Sequence, residues 1–87
     1  TQALSISDYE SFSISSFPNP VKNIWNVSSI DEISQINIYN ILGENVATFS
    51  PYTNTYSLDM SHFNSGIYLM KIVSLKGETN TLKVLKN

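Results

Sequence analysis

The side chains able to do chemistry are few: one histidine, seven carboxylates, five lysines and no cysteine in 87 residues. Acid–base or nucleophilic catalysis needs such groups to converge in one pocket, and here they are spread over the turns. His62 stands in Ser61-His62-Phe63, and a zinc ion needs three or four N, O or S donors; a lone imidazole in a polar corner reads as an exposed loop residue. Asp31 and Glu32 are adjacent, so an extended or turning backbone sends them to opposite sides instead of pairing them across a substrate. The glycines stand at 43, 66 and 77, too far apart for a phosphate-cradling loop, a dinucleotide fingerprint or a nucleophile elbow. The reading is a chain with no enzymatic activity: no catalytic residue, no cofactor, no metal site and no small-molecule substrate.

Binding chemistries are equally constrained. The net charge is −2, which gives no footprint for DNA or RNA. Residues 1–60 hold six acids and Lys22, whereas Lys71, Lys76, Lys83 and Lys86 follow with Glu78 alone. Lysines of this kind commonly dot exposed strand faces and blunt sheet edges. Tyr39, Phe49, Tyr52 and Tyr56 could line an aromatic platform for sugars, but such residues are enriched in strands whatever their function. Asn26-Val27-Ser28 matches a glycosylation acceptor but falls inside an expected strand. Without cysteine there is neither a disulfide nor a thiolate metal site, and no apolar run approaches the roughly 20 residues of a membrane-spanning helix.

The elements that would position these residues are strands. Apolar side chains alternate in short runs broken by Pro, Gly, Asn and Ser, with no sustained helical spacing. Residues 1–11 lack periodicity and read as a linker leading into the domain proper at 12–87. The first residue is Thr1 and no signal-peptide pattern follows, which reads as an excised piece. Seven strands are expected, at 12–17, 23–28, 34–40, 45–49, 56–60, 66–74 and 79–85. Trp25 is the expected centre of the core, Gly43 the residue that lets the 41–44 hairpin turn, and Phe63 a plug for one end. Strands at this spacing predict an all-β fold, a seven-stranded antiparallel immunoglobulin-like β-sandwich, with an exposed last strand able to pair with a second molecule as an edge-strand dimer.

Four short motifs occur in order: Phe17-Pro18-Asn19-Pro20-Val21; Tyr39-Asn40-Ile41-Leu42-Gly43-Glu44-Asn45-Val46; Ser65-Gly66-Ile67-Tyr68-Leu69-Met70-Lys71-Ile72; and Leu82-Lys83-Val84-Leu85-Lys86. Together they resemble the type A C-terminal sorting domains of the bacterial type IX secretion system. The resemblance implies a non-catalytic signal at the end of a secreted protein of the Bacteroidota, which reaches the cell surface or the medium by way of the periplasm. It implies two partners, the type IX secretion machinery and a sortase-like surface peptidase that cuts the domain off, with the cut expected within residues 1–11. On this reading Pro18, Asn19, Pro20, Lys83 and Lys86 are the residues that would meet the machinery, while Asn40, Gly43, Gly66 and Tyr68 are motif residues that build the fold. The rival reading is an adhesive or carbohydrate-binding accessory module, which would require Tyr39, Tyr52 and Tyr56 to share one exposed face.

Overall fold

Short runs of alternating apolar and polar side chains favour strand over helix. A computed structural model describes residues 14–87; the expected linker at 1–11 and Phe12 of the first expected strand lie outside the described residues. Among the described residues six antiparallel strands and no helix form: β1 (Ile14–Phe17), β2 (Ile24–Asn40), β3 (Asn45–Phe49), β4 (Thr53–Asp59), β5 (Gly66–Ser74) and β6 (Thr79–Lys86).

The strand count corrects the expectation of seven, because the strands expected at 23–28 and 34–40 are one. β2 runs unbroken for 17 residues. Its middle, Ser29-Ile30-Asp31-Glu32, looks like a turn by polarity, yet it holds no Pro or Gly to stop the strand. The polar stretch is instead fastened from both sides. Asn54 donates its side-chain amide to the carbonyls of Ser29 and Ile30, at 3.3 and 2.8 Å. On the other side the Leu75 amide donates to the Glu32 carbonyl and the Ser34 hydroxyl to that of Val73.

Each half of β2 has its own neighbours. The first half lies between β1 and β4, and the second between β3 and β5, with β6 outside β5. Between them the register slips against β4 after Ser28 and against β5 between Ile33 and Gln35. An extra residue in one strand moves every later side chain to the opposite face. Accordingly the buried positions are Trp25, Val27 and Ile33 before the slip against β5 and Ile36 and Ile38 after it. Both halves thereby feed a single core, in which Trp25, Val27 and Leu58 pack with Ile36, Ile38, Met70, Ile72 and Val84. Trp25 is fully buried, as its alternation with Ile24 and Asn26 predicts. Its indole N–H has no hydrogen-bond partner among the described residues, so its contribution comes from apolar area, about 2 to 3 kcal/mol for a large buried side chain.

Candidate functional site

Antiparallel register decides which motifs meet. Asn40 lies opposite Tyr68, Tyr68 opposite Val84, and Gly66 opposite Lys86. Lys86 in turn bridges Val21, just after Pro20. All four sequence motifs therefore converge on one end of the sheet, although they are spread from Phe17 to Lys86.

The tie between the first motif and the last begins with one side chain. Pro18 and Pro20 have no backbone N–H to offer a neighbouring strand, so Asn19 supplies both a donor and an acceptor from its amide. Its Nδ2 donates to the Lys83 carbonyl at 3.1 Å, and its Oδ1 accepts the Leu85 amide at 3.0 Å. Two backbone bonds continue the pairing: the Val21 amide donates to the Leu85 carbonyl at 2.8 Å, and the Asn87 amide to the Val21 carbonyl at 2.9 Å. Pro18, Asn19 and Pro20 remain exposed while Val21 is fully buried. The segment thus covers the outer edge of β6 near its end and anchors itself in the core through one valine.

The two lysines expected on display part company. Lys83 is exposed. Lys86 is only 7% exposed, because alternation places it on the same side as the buried Val84, and its ammonium donates to the Asn87 carbonyl at 2.8 Å. The expectation that both would present charge is corrected for Lys86: its stem is packed and its head is turned to the chain's own backbone.

The remaining motif residues build the end of the sheet. Asn40 organises the β2–β3 turn: its Oδ1 accepts the amides of Leu42 and Glu44 at 2.9 and 3.0 Å, and its Nδ2 donates to Glu44 Oε1 at 2.8 Å. Gly43 has φ 86°, a conformation that costs a residue with a Cβ but not glycine. Tyr68 is buried, donates its hydroxyl to the Asn64 carbonyl at 2.8 Å and meets the Phe63 ring edge-on at 5.4 Å. That contact puts Phe63 against the core, as expected of an end plug.

Other candidates stay apart. Tyr56 packs with Phe49 against the core, ring centroids 5.7 Å apart, whereas Tyr39 is half-buried and Tyr52 exposed. The tyrosines do not share one open platform. His62 is exposed, and among the described residues no three His, Asp or Glu gather where a metal ion could be held. Sequence reasoning missed the Asn19 tie and the burial of Val21. The available signal was an asparagine held between two prolines, the only residue of the three with hydrogen-bond donors to give.

The described residues thus form an all-β domain whose motif residues gather at one end of the sheet. Residues 15–87 match the model of the secretion system C-terminal sorting domain, and the chain belongs to that family, the C-terminal sorting domains of type IX secretion. A search of curated proteins finds no match to it. Domains of this family are non-catalytic signals recognised by the type IX machinery, and they mark a protein for the cell surface or the exterior.

Proposed function

We propose that this chain carries a cargo protein of a Bacteroidota cell from the periplasm across the outer membrane, and that the machinery reads the end of the sheet where residues 18–20 lie on β6. The observation that carries this reading is the double hydrogen bond of Asn19 to Lys83 and Leu85. It gives a segment that donates nothing to the core except Val21 a fixed place on the last strand, with its prolines facing outward. A sortase-like peptidase then cuts within residues 1–11, ahead of the folded domain at 12–87, and the cargo is released or attached to anionic lipopolysaccharide. In this reading the two strand groups on β2 are the two layers of an immunoglobulin-like sandwich. An edge-strand dimer through β6 is confined to the part of that edge ahead of residues 83–86, since residues 19–21 occupy the remainder.

The test is export of a fluorescent reporter that bears a signal peptide and is fused to residues 1–87, in a host with a type IX system. The same fusion lacking residues 82–87 is the control. Surface display or release that requires the last strand supports the signal. Periplasmic retention of the full fusion, in cells that export their own cargo, refutes it and favours an accessory binding module.

A further inference from the structure

The end of the sheet that gathers the motifs also has an outer face, and its chemistry differs from the rest of that face. Tyr39, Ile67, Leu69 and Leu85 alternate with the buried Ile38, Tyr68, Met70 and Val84 and so point away from the core. Register sets Tyr39 beside Leu69 and Ile67 beside Leu85, which makes a contiguous apolar patch across β2, β5 and β6. Ile67, Leu69 and Leu85 are 37, 38 and 41% exposed. Further along the same strands the face is mostly polar, with Asn37 beside Lys71, Lys71 beside Thr81, and the half-buried Val73 set between Gln35 and Thr79. A solvated antiparallel face is mostly polar; this one keeps that rule, Val73 apart, in one half and breaks it in the half next to Asn19.

Charge narrows what could cover the patch. Around the patch the charged strand side chains are Lys71 and Lys83, both exposed, with Lys83 directly beside Leu69, while the outward Glu32 lies at the far end of the face. This is a cationic margin on a chain of net charge −2. Two copies of the face laid together would bring lysine toward lysine, which opposes self-pairing. A bilayer is a poor fit as well, because interfacial anchors bury side chains about 5–10 Å into the headgroup and acyl region. Side chains two-fifths exposed on a sheet lie nearly flush with their neighbours.

We infer that this face docks flat on a protein of the secretion machinery that presents an apolar surface rimmed by carboxylates. The inference rests on the sorting-signal reading and names the chemistry of its partner. Leu69 and Ile67 fill the apolar contact, and Lys83 pairs with the acidic rim. Burial of such a patch gives affinity, while the complementary charge fixes its orientation.

The test uses the reporter fused to residues 1–87 in a type IX host, comparing I67T/L69T/L85T, K83E and the polar-half control V73T/T81S. Threonine keeps the strand preference of the residues it replaces, and K83E alters an exposed position, so it reports even where the triple variant is poorly folded. The expected result is a loss of export of about tenfold for the triple variant and for K83E, with the control unchanged and melting temperatures of the purified chains within about 5 °C. Export of both patch variants at the wild-type level overturns the docking face while leaving the sorting reading intact; retention of the wild-type fusion removes both. Cosedimentation with phosphatidylglycerol vesicles that is lost in the triple variant assigns the patch to lipid instead. A solution dimer lost in the same variant assigns it to a second copy. Either result overturns the proposed partner.

Discussion

Two asparagines hold this domain together in the same way at different range. Asn40 accepts two amides within the turn that it opens, four residues away at most. Asn19 bonds the backbone of Lys83 and Leu85 across 64 and 66 residues. In both, a short side-chain amide stands in for a backbone peptide group. Range is what separates them. A four-residue turn can form alone, whereas a tie over more than 60 residues must offset a larger loop-closure entropy and exists only when the rest of the sheet is in place. The local asparagine shapes an element, and the distant one reports on the assembled domain.

Removing the long tie has the larger expected effect. Asn19→Ala deletes two hydrogen bonds of about 1 kcal/mol each, which predicts a loss of about 1 to 2 kcal/mol and a drop in melting temperature of about 5 to 10 °C. Hydrogen exchange should rise at the Leu85 amide that Asn19 Oδ1 accepts, and at the amides of Val21 and Asn87, whose pairing continues the same edge. Reporter export should fall with it. A melting curve unchanged from wild type would mean that the segment lies on β6 without holding it.

Breaking the short tie is predicted to cost less and to stay local. Asn40→Ala should destabilise by about 1 kcal/mol and speed exchange chiefly at Leu42 and Glu44, the amides it caps. Gly43→Ala should cost a similar amount, about 1 kcal/mol, through φ alone, since an added Cβ meets nothing within 4 Å. Chemical denaturation of the two variants checks both figures, and exchange at Leu85 that accelerates as in Asn19→Ala would erase the distinction between local and distant ties.

The same contrast explains what could be read from the sequence. Gly43 and the strands expected at 45–49 and 66–74 are local signals: the glycine takes its positive φ and both strands form within those bounds. The unbroken β2 was not legible, because alternation records the period of a strand but not its continuity through a bulge. The phase change between Ile33 and Ile36 looks like the end of one strand and the start of another, and only the bonds from Asn54, Leu75 and Ser34 show that the chain runs on. Lys86 was misread for a related reason. Charge argues for the surface, but its place in the alternation after Val84 sets it inward, and the long apolar stem makes that position tolerable. At the candidate site the motif positions were visible, whereas their convergence required the register of β5 with β2 and β6.

Lysines 83 and 86 allow a finer comparison between an exposed and a packed charge on one strand. Lys86→Met keeps an unbranched stem and removes only the ammonium that donates to Asn87. Its stability is expected within about 0.5 kcal/mol of wild type, with export preserved. Lys83→Met should leave stability equally unchanged, as its side chain is exposed, yet lower export. If the two variants exchanged these phenotypes, recognition would fall on the buried charge and the assignment of the outer face would have to move with it.

The smallest effect is expected at a third tie, this one local and ionisable. The Ser61 hydroxyl, then its backbone amide, and more weakly the charge of His62, hold the Asp59 carboxyl below its ordinary value against a slight opposing effect of burial; the amide lies 2.9 Å from Oδ1. A carboxylate favoured in the folded state contributes stability that is present above its unfolded pKa and is lost as pH falls through the lower folded value. The contribution of Asp59 should therefore be constant near neutrality and fade only below about pH 4. Asp59→Asn keeps an oxygen for the Ser61 amide but cannot titrate. The melting temperatures of variant and wild type should then differ by a fixed small amount from pH 7 down to about 5 and converge in the acid range. Curves that stay parallel down to pH 2 would show that the turn gains nothing from the charge, and that Asp59 acts as Asn40 does, through geometry alone.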